Sequence, residues 1–187
     1  KAAIALANHA AGVAVSKLGT AVVTPGEILA NLPVSNSLIE PASLAKLCQS
    51  WRNAGNKIAF ANGCFDLLHP GHISLLRHAA KTAERLIIGL NSDNSVRRLK
   101  GQTRPLQSAD KRAAALAAFG MVDAVTIFEE DTPKKLITLL KPDFIVKGGD
   151  YKLDDVVGSD LVKKRGGKVV IVPTLATYST SKLVKNH

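Results

Sequence analysis

The pattern of apolar and polar residues changes at Asn56. Beyond this residue, short apolar runs alternate with stretches in which apolar residues recur every three or four positions. The short runs predict five strands, KIAFANG, RLIIGLNSD, DAVTIF, DFIVKG and KVVIVP. Strands separated by helices of about 10 to 15 residues indicate parallel pairing with right-handed crossovers. The sequence therefore predicts an α/β fold with a Rossmann-like, doubly wound, five-stranded parallel sheet.

Helices are predicted between these strands. They cover GHISLLRHAAKTA, the neighbourhood of SVRRLK, SADKRAAALAAFG, TPKKLITLLK and the neighbourhood of SDLVKKR, and a closing helix starts at about Ser179. Ser108 is suited to the N-cap of the third helix and Pro133 to the first turn of the fourth. An amphipathic helix, ASLAKLCQSWRNAGN, precedes the first strand and is expected to end near Gly55.

The segment before this helix has a different pattern. Its apolar spacing is helical from Ala2 to Val15, VVTPGEILANLP indicates a short strand, a turn and one or two helical turns, and VSNSLIEP is a polar linker. The chain starts with Lys1, and its only methionine is Met121. We therefore expect a fragment or a processed product.

The net charge narrows the choice of partner. Lys and Arg number 25 against 15 Asp and Glu, which gives +10 at pH 7 and favours an anionic partner. Nucleic acid is not expected, because Trp51, Tyr151 and Tyr178 are too dispersed to form a stacking surface. A membrane is not expected, because no apolar run approaches the roughly 18 to 20 residues of a spanning helix. Two cysteines fit a reduced, cytoplasmic protein.

The first strand-to-helix junction carries two histidines. In FANGCFDLLHPGHISLLRHA, His69 and His72 flank Pro70-Gly71 at the start of a helix. The pair could bind a metal, bind phosphate or simply form a turn. Zinc usually needs three or four ligands, and no other Cys or His cluster supplies them. A helix N-terminus attracts anions, and ligands sit beyond the carboxyl ends of parallel strands, so phosphate is favoured.

The residues of this junction also carry a resemblance. NGCFDLLHPGH resembles the signature of the HxGH nucleotidyltransferase superfamily, and LNSDNSVRRLKG, RPLQSADKRAAALAAF, FIVKGGDY and YSTSKLV resemble the nucleotidyltransferase domain of the bifunctional heptose enzymes of lipopolysaccharide core synthesis. ALANHAAGVAVSKLGTAVVTPGEI resembles the end of a ribokinase-type sugar kinase. The resemblance thus implies a kinase remnant with a linker over residues 1–44 and a nucleotidyltransferase domain over 45–187. The kinase's GAGD-type motif is absent from the sequence, so kinase activity is not expected.

The resemblance implies a reaction. ATP and D-glycero-β-D-manno-heptose 1-phosphate would give ADP-heptose and pyrophosphate, with Mg²⁺ accompanying the triphosphate. A cytidylyltransferase acting on another small phosphate or phosphonate is the alternative. Ala176-Thr177-Tyr178 replaces the arginine and Gly-Ile of glycerol-phosphate and choline-phosphate relatives, which argues against those substrates. A homodimer is left open.

The resemblance also implies roles for individual residues. No residue is predicted to be a metal ligand. His69, His72 and Lys100 would act on the triphosphate. The nucleotide pocket would contain Asn62, Gly63, Phe65, Gly71, Lys147, Gly148, Ser179, Thr180 and Ser181. The acceptor would meet Asp66, Asn91, Asp93, Arg104, Arg112 and Asp150. Three alternatives stay open. Asp66 could cap the turn or hold a backbone amide, Asp93 could be an ordinary N-cap, and Arg112 could be fixed to the surface of its own helix.

Overall fold

Five parallel strands form the centre of the protein. The structure, a computed structural model, describes residues 38–149 and 151–173. The strand order is β3-β2-β1-β4-β5. The strands are β1 Ile58–Gly63, β2 Arg85–Asn91, β3 Ala124–Phe128, β4 Phe144–Gly148 and β5 Lys168–Val172. The predicted α/β fold with a five-stranded parallel sheet is confirmed.

Six α-helices lie in the described part of the chain. They are α1 Pro41–Asn53, α2 Pro70–Thr82, α3 Asp93–Lys100, α4 Ala109–Ala117, α5 Lys134–Leu140 and α6 Ser159–Lys163, with a 3₁₀ turn at Leu153–Asp155. The helices predicted before residue 38 and after residue 173 lie outside the described residues. Helix α1 starts at Pro41 and buries Leu44, so it crosses the predicted domain boundary at residues 44 and 45.

Each face of the sheet is covered by its own set of helices. Ala59 and Ala61 of β1 belong to the apolar cluster that includes α2 and α4, whereas Ile58 and Phe60 belong to the cluster that includes α1, α5 and α6. Side chains alternate between the two faces of a strand, and a parallel sheet buries both. The strands therefore contribute almost continuous apolar runs, which is the pattern that the sequence shows.

One packing detail ties β1 to β2. Gly89 of β2 lies beside the ring of Phe60, and a Cβ atom at Gly89 would lie 2.7 Å from Cζ of that ring. The absent side chain leaves the space that the phenylalanine ring occupies in the centre of the sheet. The packing of the Phe60 ring therefore depends on glycine at position 89.

Carboxylates bind the amino ends of the strands. Asp143 accepts a hydrogen bond from Ile58 N at 2.9 Å and pairs with Lys57 at 3.0 Å. Asp123 accepts hydrogen bonds from Leu86 N and from Arg85, both at 2.8 Å. These contacts satisfy that edge internally, while the polar groups at the opposite edge face an open pocket.

Candidate active site

The carboxyl ends of the strands open into one pocket. Its cavity is about 660 Å³, and its walls come from the residues that follow β1, β2, β3, β4 and β5. This is the location at which doubly wound sheets bind ligands. The pocket has the size of a site for a nucleotide or another small molecule.

The two predicted histidines meet in this pocket. His69 lies at the N-cap of α2, and its ring stacks on that of His72 with centroids 3.7 Å apart. The ring of Phe65, a residue with φ of +46°, lies 5.0 Å from the His72 ring. Nδ1 of each histidine is buried and has no hydrogen-bond partner among the described residues. Both residues line the pocket, so their rings are placed beside a bound ligand.

Both imidazoles are neutral at pH 7. Burial and, to a smaller extent, the neighbouring His69 lower the pKa of His72 to about 4. Burial also lowers the pKa of His69. A neutral imidazole can still donate one hydrogen bond to an anionic oxygen. The pair is thus suited to phosphate contacts that do not require a histidine charge.

Lys147 supplies positive charge beside the histidines. Its Nζ lies 3.4 Å from Oδ1 and 3.5 Å from the carbonyl oxygen of Asn62, and 5.9 Å from the ring centre of Tyr151. No carboxylate among the described residues forms an ion pair with it, and burial lowers its pKa. Lys100, an exposed residue, also lines the pocket. Both predicted lysines are therefore placed to meet an anion.

Asp66 fixes a second basic group at the pocket wall. Its Oδ1 accepts hydrogen bonds from Leu106 N at 2.7 Å and Gln107 N at 3.2 Å. Nε of Arg104 lies 2.7 Å from Oδ2, an ion pair whose angles fall outside hydrogen-bond geometry. Arg104 lines the pocket with its side chain 16% exposed. Asp66 thus holds backbone amides in this structure, and its contact with the acceptor stays a prediction.

Arg112 is not placed as a phosphate ligand, and that prediction is wrong. Its side chain has no exposed area and does not line the pocket. Its guanidinium donates to the carbonyl oxygens of Gln107 at 2.9 Å and Cys64 at 2.5 Å, and to Asp93 at 2.7 Å. All three nitrogens thus have protein acceptors. Arg112 instead fixes the turn that leads from β1 to the histidines.

Asp93 also differs from its predicted N-cap role. Ser92, not Asp93, is the N-cap of α3, and its Oγ accepts a hydrogen bond from Ser95 N at 3.1 Å. The Asp93 carboxylate faces Arg112 and does not line the pocket. Its contact in this structure is therefore with the protein, and the sugar contact stays a prediction.

The other predicted residues divide into two groups. Lining the pocket are Asn62, Gly63, Phe65, Gly71, Asn91 and Gly148. Asp150, Ser179, Thr180 and Ser181 lie outside the described residues. Their ligand roles stay predictions.

The sequence comparison places the chain in a family. Residues 60–186 match the family model described as cytidylyltransferase-like. The chain belongs to the cytidylyltransferase-like family. The family-level resemblance inferred from NGCFDLLHPGH is confirmed.

Individual members of this family are similar over most of the chain. The bifunctional protein HldE of Gluconobacter oxydans (strain 621H) is 48% identical over 187 residues, covering 98% of this chain and 39% of its own length. The bifunctional protein HldE of Nitrobacter winogradskyi is 49% identical, with 99% and 39% covered. The chain thus spans about two fifths of the length of these relatives.

A solved structure has a similar fold. The lipopolysaccharide core biosynthesis protein from Thermoplasma volcanium GSS1 has 31% sequence identity and a TM-score of 0.53, covering 64% of this chain and 97% of that one. None of the helices within the described ranges is long and apolar enough to cross a membrane.

Several residues that line the pocket were not predicted from the sequence. The missed lining residues are Cys64, Leu75, Val96, Leu99, Asp131, Thr132, Pro133, Tyr151, Asp155, Val156, Val157, Val172 and Pro173. One pattern could have found three of them, because EEDTP follows the strand DAVTIF directly, at the carboxyl edge where ligands are expected. The apolar members have no distinguishing pattern, since they resemble core residues.

Proposed function

We propose that the chain transfers the adenylyl group of ATP to D-glycero-β-D-manno-heptose 1-phosphate and releases pyrophosphate, for lipopolysaccharide core synthesis. The observation that carries the proposal is the stacked pair His69 and His72 in one pocket with Lys147, Lys100 and Arg104. Neutral donors and cations around one cavity suit a triphosphate. The names of the similar proteins, HldE and a lipopolysaccharide core biosynthesis protein, support the choice of pathway.

The two sides of the pocket differ in a way that suits two substrates. The side formed by the ends of β4 and β5 contains the cation of Lys147 and the exposed apolar side chains of Tyr151 and Val157. A cation beside apolar surface suits the phosphates and the base of a nucleotide. The side that follows β2 and β3 contains Asn91, Thr132 and other polar groups and suits a sugar phosphate. The histidines follow β1, which lies between β2 and β4. The reacting phosphorus would therefore lie over the centre of the sheet.

The reaction needs little chemistry from the protein. A phosphate oxygen of the sugar 1-phosphate is already an anionic nucleophile, so it can attack the α-phosphorus in line as pyrophosphate leaves. A protein nucleophile or general base is unnecessary. His69 and His72 would donate hydrogen bonds to the phosphate oxygens, and the lysines would balance the charge that accumulates on them.

Mg²⁺ is part of the proposal as the partner of the triphosphate. Within residues 38–149 and 151–173, no group of three or more His, Cys, Asp or Glu side chains could hold a metal. This composition fits Mg²⁺, which commonly keeps several waters and binds one or two carboxylates together with substrate phosphates. Asp155, on the nucleotide side of the pocket, would be its carboxylate ligand. The metal would supply neutralisation of phosphate charge.

Further expectations accompany the proposed reaction. Cys48 and Cys64 are free thiols, which supports a reducing, cytoplasmic location. The kinase-remnant assignment of residues 1–44 and the homodimer stay predictions.

A substrate matrix tests the proposal. Pyrophosphate release would be measured with Mg²⁺ for ATP, CTP, GTP and UTP, each combined with heptose 1-phosphate, glycerol 3-phosphate and phosphocholine. We expect turnover with ATP and heptose 1-phosphate only. Turnover with CTP and a different acceptor would retain the mechanism but replace both substrates. Absence of turnover with every pair would contradict the proposed function.

The histidine pair provides the first variant. His72→Ala is expected to lower kcat by at least about 100-fold, because it removes a donor to the phosphate oxygens. His78→Ala is the matched control, since His78 lies on the same helix, is exposed and contacts only the Ser74 carbonyl at 2.8 Å. Turnover of His72→Ala close to that of the control would contradict the phosphate role.

A further inference from the structure

A carboxylate lies in the wall of a pocket that otherwise suits anions. Asp131 follows β3 and lines the same cavity as His69, His72 and Lys147. Asp66 and Asp155 line the cavity as well, and we have assigned them to Arg104 and Mg²⁺. A carboxylate repels phosphate, so the surroundings of Asp131 favour a part of the ligand other than phosphate. Its side chain is 54% exposed, which leaves it accessible to a ligand.

The loop that carries Asp131 is fixed to α3. Ser92 Oγ donates to the Glu129 carboxylate at 2.7 Å, and Ser95 Oγ donates to the Glu130 carbonyl at 3.1 Å. Nε of Arg98 donates to Oδ1 of Asp131 at 2.7 Å. The ion pair with Arg98 therefore favours one orientation of the carboxylate, and the hydrogen bond from Arg98 Nε engages Oδ1 and not Oδ2. A fixed acceptor costs less entropy on binding than a mobile one.

The neighbours of Asp131 have the chemistry of a hydroxyl-binding wall. Thr132 adds a hydroxyl group, and Asn91 adds a side-chain amide whose Nδ2 already donates to Ser95 Oγ at 3.0 Å. Carboxylate, hydroxyl and amide oxygens accept hydrogen bonds from hydroxyl groups. Asn91 ends β2, and Asp131 and Thr132 follow β3. Lys147 belongs to β4, which lies on the other side of β1.

We propose that Asp131 accepts hydrogen bonds from the hydroxyl groups of the acceptor and selects a polyhydroxylated phosphate over a small one. The proposal rests on the proposed function and assigns the recognition of the sugar within that site. Arg98 is the positioning residue, since it acts through Asp131. Charged acceptors form stronger hydrogen bonds than neutral ones, so loss of the charge should be measurable.

Separate kinetic constants for the two substrates test this assignment. For Asp131→Asn we expect KM for heptose 1-phosphate to rise about 10-fold, with KM for ATP unchanged. Asp154→Asn is the matched control, because Asp154 is also an exposed aspartate paired with one cation, Lys163 at 2.6 Å, but does not line the pocket. An unchanged acceptor KM, or an equal rise in KM for ATP, would overturn the proposal. A rise confined to the Mg²⁺ requirement would also overturn it, since the carboxylate would then serve the metal.

Calorimetry keeps the test independent of turnover. Binding of heptose 1-phosphate would be measured with a non-hydrolysable ATP analogue, for the unchanged chain and for Asp131→Asn. Roughly 10-fold weaker binding by the variant supports the assignment even if no turnover is found, in which case only the proposed reaction fails. Equal binding by both, or no binding by the unchanged chain, overturns the assignment of Asp131.

Discussion

Two arginines near the histidine turn have opposite surroundings. The Arg112 cluster consists of Arg112, Asp93 and the carbonyl groups of Cys64 and Gln107, and its guanidinium is fully buried with an acceptor for every nitrogen. The Arg104 pair consists of Arg104 and Asp66, with Nε of the guanidinium 2.7 Å from the carboxylate. The first arginine is enclosed by protein, while the second also lines the pocket.

The difference shows what decides the role of a basic residue. Arg104 and Arg112 are eight positions apart in a basic chain and were both predicted to bind phosphate. Burial and protein acceptors separate them, because the Arg112 guanidinium has no exposed area and a protein acceptor at every nitrogen, whereas Arg104 lines the pocket. We therefore assign stability to Arg112 and phosphate binding to Arg104.

The largest effect on stability is expected from Arg112→Met. It leaves two carbonyl groups and the Asp93 carboxylate without their donors, and should lower the free energy of unfolding by about 3 kcal/mol. Chemical denaturation would measure the change. Arg97→Met is the control, since Arg97 is exposed and contacts Asn94 alone at 2.8 Å, and should change stability by about 0.5 kcal/mol or less. An Arg112 variant as stable as the control would reverse the assignment of the two arginines.

A smaller effect, on activity, is expected from Arg104→Met. We expect kcat/KM to fall about 30-fold, equivalent to about 2 kcal/mol, because a charged donor to phosphate is lost. The free energy of unfolding should fall by about 2 kcal/mol, because the buried Asp66 carboxylate loses its cation but retains its two backbone amides. Kinetics and denaturation of the same preparation would separate the two quantities. A large loss of stability with little loss of kcat/KM would make the Arg104 pair equivalent to the Arg112 cluster.

The smallest effect comes from acid, which loosens the histidine turn without altering either arginine. The pKa of His72 is about 4 in the folded protein and close to 6.5 in the unfolded chain, so between these values the unfolded chain binds more protons. Stability should therefore fall as the pH is lowered from 7.5 to 5.5, and the lowered pKa of His69 acts in the same direction. Thermal unfolding should show a Tm lower by a few degrees at pH 5.5. If the decline is the same in His72→Asn, it originates elsewhere.

The fold was predictable because it depends on local patterns. The apolar runs that cross both faces of the sheet gave all five strands to within two residues at each end, and the parallel topology followed from the helices between them. The junction at His69 and His72 was predictable for the same reason, since a strand end, a helix start and two imidazoles are adjacent in sequence.

The contacts between distant segments were not predictable. Arg112 binds the Cys64 carbonyl across 48 positions and Asp93 across 19. Both Ser92 and Asp93 are good N-cap residues, and sequence cannot show that Arg112 engages the second one. Asp131 was missed because an acidic loop in a basic protein resembles ordinary surface until the sheet brings it to the pocket.

The packing of Phe60 against Gly89 constrains how this sequence can change over time. Alanine at position 89 would collide with the ring, and a smaller residue at position 60 would leave a cavity beneath the strands that carry the histidine turn and Asn91. Each single change is therefore unfavourable, whereas the two together restore the volume. The pair is expected to be inherited as a unit, so divergence in the centre of the sheet would require coordinated substitutions.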